Sequence, residues 1–204
     1  MPSRNITKVQ VPESYYHVYA RGSNKQKIFL EVADYKYFLN LFERYFASKP
    51  QWSKTGEPYP NYVGHIELLA HCLMSNHFHL LIYQYDIPSL EKFMRSLMTS
   101  YSRYFNLKYR RTGSLFESRY KAVLIEQDSY LQHVSRYIHL NPRRWQTYRY
   151  SSLQYYRDGL EPMWLKTNRL LEMFADRADY MAFVADYEEQ HDMLDELKYQ
   201  LAVW

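Results

Sequence analysis

Residues 66–85 hold two strand-like runs, IELLAHCLMS (66–75) and HFHLLIYQY (77–85), with only Asn76 between them. So short a link is a tight turn, and Asn tolerates the backbone that such a turn needs. Every other element has to be fitted around this pair. Upstream, YYHVYARG (15–22) alternates and is rich in Tyr and Val, which predicts a strand. Tyr37, Phe38, Leu41, Phe42 and Tyr45 then recur at helical spacing within 33–47. The Pro- and Ser-rich stretch 48–61 reads as a loop. Downstream, Asp86 and Pro88 break the chain, and Ser89 is a candidate N-cap. The helix after it carries Leu90, Phe93, Met94, Leu97, Met98, Tyr101, Tyr104 and Phe105 at a 3.6-residue period. RRTGS (110–114) reads as a turn and LFESRYKAVLIE (115–126) as a fourth strand. Asp128 caps a third helix, DSYLQHVSRYIHLN, which Pro142 terminates.

The order β-α-β-β-α-β-α predicts an α+β fold. Its first six elements match the ferredoxin-like βαββαβ pattern, an antiparallel sheet, followed by one more helix. Residues 150–204 read as an acidic, amphipathic, helical extension, so the chain divides into a 1–149 domain and a 150–204 tail that ends at Trp204. Five glycines, no two of them close, exclude a P-loop and a GxGxxG dinucleotide loop, both of which need clustered glycines. A single cysteine, Cys72, excludes an internal disulfide framework and any multi-Cys metal site. No apolar run is long enough to span a membrane, and the N-terminus lacks the apolar core of a signal peptide. A protein of the reducing cytoplasm is expected.

Charge is uneven. Residues 1–88 carry +2, residues 89–149 carry +8 and residues 150–204 carry −6, within a net charge of +4. A basic middle beside an acidic tail is either a polyanion-binding surface or an ordinary solvated face. Aromatics make up 18% of the chain, with 23 tyrosines, and such rings fill cores or stack on unpaired bases.

The sharpest chemical feature is His77-Phe78-His79 in the third strand. Side chains alternate along a strand, so both imidazoles leave one face, about 7 Å apart, while Phe78, Leu80 and Ile82 form an apolar stripe on the other. Two imidazoles so placed can share a divalent cation, or they can be two histidines on a half-exposed strand.

The run MSNHFHLLIY resembles the His-hydrophobic-His strand of the IS200-like single-tyrosine transposases, in particular their REP-associated branch. HVYARGSNKQKIF (17–29), GSLFESRYKAVLIE (113–126) and YLQHVSRYIHLNPRR (130–144) match in the family's order, over roughly residues 15–150. The resemblance implies a metal-dependent endonuclease that cuts and rejoins single-stranded, hairpin-containing DNA through a 5′-phosphotyrosine intermediate. The family's nucleophile falls on Tyr137, in SRYIHLNP, and its metal ligands on His77, His79 and, one turn past the tyrosine, Asn141. An amide oxygen suits Mg²⁺ or Mn²⁺, and two imidazoles favour Mn²⁺. Pro142 disfavours α geometry at Asn141, so this residue is a helix C-cap, a ligand or both. His133, at i−4 from Tyr137, is a rival ligand or an exposed helical histidine. His71 can support a ligand if it shares the metal-side face, and is otherwise a core or edge residue.

Candidate DNA-binding residues are Arg21, Lys25, Arg110, Arg111, Arg119, Lys121, Arg136, Arg143 and Arg144, interspersed with Tyr109, Phe116, Tyr120 and Trp145. Phe116 and Tyr120 also fit a sheet core. Such a protein would be nucleoid-associated. Dimers and monomers both accord with the resemblance. Two other functions remain open: a non-catalytic nucleic-acid-binding protein on this fold, which the absence of an RNA-binding aromatic motif disfavours, and a replication-initiator or relaxase-type nickase.

Overall fold

The computed structural model describes residues 10–186. Four strands, β1 (Ser14–Arg21), β2 (Ile66–Met74), β3 (His77–Gln84) and β4 (Lys121–Ile125), form one antiparallel sheet in the order β2-β3-β1-β4. Helix α1 (Val32–Tyr45) joins β1 to β2, and α2 (Ser89–Lys108) joins β3 to β4. Both crossovers lie on one face, as the βαββαβ pattern requires. Helix α3 (Asp128–Leu140) follows β4 and crosses the other face, joined there by α4 (Leu153–Asp158), α5 (Asn168–Leu171) and α6 (Arg177–Ala185).

The sheet therefore has two cores. On the first face Val18, Phe78, Leu80 and Ile82 meet Phe38, Leu41 and Phe42 of α1 and Phe93, Leu97 and Tyr101 of α2. On the second, Tyr19, Cys72, Leu81 and Ile125 meet Leu131, Val134 and Ile138 of α3, with Tyr156, Tyr180 and Val184 behind them. Covering both faces buries all eight residues of β3, the histidines included. Residues 150–186 belong to this packing. Leu73 N donates to Tyr150 O (3.0 Å), Ser152 N to His71 O (2.9 Å) and Lys166 N to Leu68 O (2.9 Å), so the chain after α3 covers β2. Trp204 lies outside the described residues.

Three boundaries differ from expectation. The fourth strand begins at Lys121 rather than at 115. Leu115, Phe116 and Tyr120 all enter the first core, and neighbours such as 115 and 116 cannot share a face in a two-residue repeat. The segment is tied to β1 instead through a Gly22–Phe116 bridge and Glu117 N to Arg21 O (3.0 Å). Ser89 is the first residue of α2 and not its cap: Pro88 occupies the cap position and the Ser89 hydroxyl donates to Asp86. Asp128 likewise sits in the first turn of α3, after Gln127 at the cap, where its charge still complements the helix dipole.

Gly22 follows β1 at a close approach of the backbone. A Cβ there would stand 2.3 Å from Gln26 O and 2.8 Å from Ile28 Cγ2. Its N–H donates to Asn76 O (2.9 Å), which locks the end of β1 to the β2–β3 turn beside the histidines.

Candidate active site

The register of the sheet assembles the site. Tyr19 of β1 pairs with His79, Arg21 with His77, and Cys72 of β2 with His79. These side chains share the second face. Helix α3 delivers Tyr137 and Asn141 over them. The Tyr137 ring stands edge-on to His79, with centroids 5.4 Å apart and planes at 86°. Asn141 Oδ1 lies 3.2 Å from His77 Nε2, and the Asn141 side chain opposes the upward pKa shift of the Tyr137 phenol. Asn141 keeps right-handed helical torsions (φ −56°, ψ −39°) despite Pro142, so it closes α3 and still reaches His77.

The hydrogen bonds around the two imidazoles orient a pair of lone pairs. Asn76 Nδ2 donates to Lys25 O (3.2 Å), which turns Asn76 Oδ1 toward His77 Nδ1, 2.7 Å away. An acceptor there places the proton on Nδ1, and Nε2 then presents its lone pair to Asn141 Oδ1, another lone-pair bearer. His79 Nδ1 lies 2.9 Å from His17 Nε2, while His79 Nε2 is buried with no hydrogen-bond partner. Two acceptors face to face and one orphaned ring nitrogen suit a cation held by His77, His79 and Asn141. No group of three or more His, Cys, Asp or Glu at metal-holding spacing occurs among the described residues, so the third protein ligand would be the amide.

Burial keeps both rings neutral. It lowers His77 to about 4, with Asn141 opposing and Arg21 adding to the shift, and lowers His79 well below the ordinary imidazole range. Burial also raises Tyr137 above the ordinary phenol range; Tyr19 and Cys72 add to this and Asn141 and Arg21 oppose it. At neutral pH the phenol is therefore protonated.

His17 and Asn76 were not among the expected site residues. His17 is wholly buried against His79, and only the β1–β3 register brings the two together across 62 positions. The period-two alternation of His17, Tyr19 and Arg21 was the signal that could have revealed it. His71, in contrast, lies on the first face against Phe42 and Trp164, away from the site. His133 bonds Arg136 Nη2 (2.8 Å) and its ring is tilted against Phe183, which occupies it elsewhere.

The basic residues divide. Arg21, Arg119 and Lys121 line the cleft that opens onto His77 and His79, together with Glu117 and Ser118. Lys25 is exposed in the turn after β1, and Arg143 and Arg144 are exposed just beyond α3. Arg110 is exposed in the turn after α2, and Arg111 is half-buried with its guanidinium over Phe105 (5.6 Å). Arg136 corrects the expectation of a DNA contact. It is 1% exposed, donates to Phe183 O (3.1 Å) and lies over the Phe183 ring (4.2 Å), so it ties α3 to α6. Phe116 and Tyr120 are core residues, 4% and 5% exposed. No helix among the described residues is long and apolar enough to cross a membrane.

Residues 61–141 match the family model described as "Transposase IS200 like". No curated protein sequence matches the chain. Among solved structures, a REP-associated tyrosine transposase bound to a REP hairpin aligns over 80% of this chain and 92% of its own, at 12% identity and a TM-score of 0.56, which establishes a shared fold. A candidate transposase from Deinococcus radiodurans aligns over 63% of this chain and 91% of its own, at 15% identity and a TM-score of 0.39. The matched segment holds both strand histidines, Tyr137 and Asn141, so over residues 61–141 the chain is similar to the IS200-like transposases.

Proposed function

We propose that the chain is a divalent-metal-dependent DNA strand transferase that cuts and rejoins single-stranded, hairpin-containing DNA through Tyr137. One observation carries this reading: the Tyr137 ring stands edge-on to His79 at one end of the sheet, where Asn141 Oδ1 meets His77 Nε2. His77, His79 and Asn141 would hold Mn²⁺ or Mg²⁺. A bound cation would polarise the scissile phosphate and stabilise the charge that develops on it.

The remaining chemistry belongs to the chain's own residues. Arg21, Arg119 and Lys121 hold phosphates at the cleft mouth. Lys25, Arg143 and Arg144 are placed to hold the flanking strand or a hairpin stem, and Arg110 and Arg111 lie further off at the end of α2. Tyr137 Oη attacks phosphorus, forming a tyrosyl ester to the 5′-phosphate as the bond to O3′ breaks. The proton lost by the phenol is balanced by the one gained at O3′. The new ester conserves the energy of the phosphodiester, so attack by a 3′-hydroxyl rejoins DNA without a nucleotide cofactor. A hairpin substrate accords with the fold shared with the transposase bound to a REP hairpin. Residues 1–149 would form the catalytic unit and 150–204 an extension, of which 150–186 brace the sheet.

Incubation with end-labelled hairpin DNA and Mn²⁺ should give a protein–DNA adduct that survives denaturation, and chelator should prevent it. DNA binding without scission, indifferent to chelator, would instead identify a non-catalytic binder.

In this scheme His79 Nδ1–H donates a hydrogen bond to His17 Nε2, which keeps the His79 Nε2 lone pair toward the cleft. The variant His17→Phe keeps a buried ring and removes the acceptor. Its Mn²⁺ affinity, read by calorimetry, should fall about 10–100-fold. Unchanged affinity would reduce His17 to packing.

A further inference from the structure

Tyr137 and Asn141 meet the strand histidines only if α3 is turned correctly about its own axis. Residues two apart on a helix point about 200° from each other. His139, midway between Tyr137 and Asn141, therefore leaves α3 on the side away from them. It is 0% exposed, and burial keeps its ring neutral, with one N–H and one lone pair.

The partners of His139 fix where that proton sits. Ser135 Oγ donates to Gln132 O (2.7 Å), and Tyr180 OH donates to Ser135 Oγ (3.2 Å). The Tyr180 oxygen thus meets His139 Nδ1 (2.7 Å) as an acceptor, and Nδ1 carries the proton. Nε2 is then the lone pair, and it accepts from Ser152 Oγ (2.7 Å). Ser152 Oγ in turn accepts from His71 N (2.8 Å). His71 O is a longer alternative for the Ser152 hydroxyl (3.2 Å) and already receives Ser152 N (2.9 Å). One directional run of hydrogen bonds leads from the backbone of β2 through Ser152, His139, Tyr180 and Ser135 to the backbone of α3. All four of these side chains are buried.

We propose that His139 is a positioning residue, whose bonds to Ser152 and to Tyr180 of α6 set the rotation of α3 and so place Tyr137 and Asn141 over His77 and His79. The proposal rests on reading Tyr137 as the nucleophile and Asn141 as a ligand. A turn of α3 by about 20° would move a side-chain end, about 5–6 Å from the axis, by about 2 Å. That is enough to break the 3.2 Å approach of Asn141 Oδ1 to His77 Nε2. The segment after α3 then serves the reaction without touching DNA or metal.

The test uses the full chain and three variants. His139→Leu removes both bonds. Tyr180→Phe keeps the packed ring and breaks the run on α6. Val184→Ala trims a buried side chain of the same core that takes no part in the run, and so reports lost packing alone. Melting curves rank the three for stability. His139→Leu and Tyr180→Phe should slow single-turnover adduct formation on a hairpin about 10–100-fold and leave hairpin affinity within about twofold. Both should weaken Mn²⁺ binding, read by calorimetry without DNA, about tenfold. Val184→Ala should match wild type in rate and Mn²⁺ affinity within about twofold, even with the lowest melting temperature. Wild-type rate and Mn²⁺ affinity in both run variants, or losses that follow melting temperature across all three, would overturn the proposal. A wild type that forms no adduct would remove Tyr137 cleavage and leave His139 judged by Mn²⁺ alone. In that case a tenfold loss in both run variants supports it, and unchanged affinity overturns it.

Discussion

Tyr137→Phe should abolish the covalent protein–DNA adduct and leave DNA affinity and folding almost unchanged. The phenol ring is what packs: it meets His79 and His17 edge-on at 5.4 and 5.9 Å, and Phe preserves that shape. The hydroxyl is what reacts. Its removal leaves no oxygen to form the ester, so loss of activity should reach the assay floor, at least about 10³-fold. The energetic cost should stay within about 1 kcal/mol, because the ring and its packing are kept and removing a buried hydroxyl also removes its desolvation cost. An adduct that persists would direct attention to another tyrosine. Tyr19 is the nearest alternative, since it shares the face and its ring lies 5.8 Å from His79. Adduct formation in Tyr137→Phe and its loss in Tyr19→Phe would reassign the nucleophile.

Much of this architecture was legible in the residues. The alternation of 15–22 and the two runs joined at Asn76 gave three strands, with ends within about two residues of those observed. The periodic apolar residues of α1, α2 and α3 gave the helices. The ferredoxin-like order followed, because two strands so closely joined leave few ways to thread the remaining elements. Leu115 and Phe116 misled because a local pattern records apolarity and not the direction of burial. Arg136 misled for a similar reason. An arginine in a basic stretch looks solvated, and only the arrival of α6 from 47 positions away gives it carbonyl partners. His17 escaped notice because its partner is set by strand register, which short motifs do not encode. The lone-pair geometry at His77 was equally out of reach, since it depends on Lys25 O turning the Asn76 amide.

The second large effect is on stability. Asp34→Ala should destabilise the fold by about 3–5 kcal/mol, measured by urea unfolding, because it strips the acceptor from a buried charged network. The Asp34 carboxylate is 0% exposed and accepts from Lys108 Nζ (2.6 Å), Tyr109 OH (2.8 Å), Tyr104 OH (3.0 Å), Leu30 N (2.8 Å) and Glu31 N (3.1 Å). It closes the capping box of α1 with Glu31 and ties the start of that helix to the end of α2. Burial alone would raise its pKa, but the bonds from Lys108, Leu30, Tyr109 and Glu31 outweigh burial and hold it below the ordinary carboxylate value. A group whose folded pKa is depressed contributes stability above its unfolded pKa and loses it as pH falls through the folded one. The wild type should therefore lose this contribution below about pH 4. In Asp34→Asn, where no such charge can titrate, the stability deficit should shrink as pH falls through that window. A deficit constant from neutral pH into acid would mean that shape, and not the carboxylate charge, holds the two helices together. A pH-dependent deficit alongside intact DNA binding would place the network in the scaffold of the first core, on the opposite face of the sheet from Tyr137.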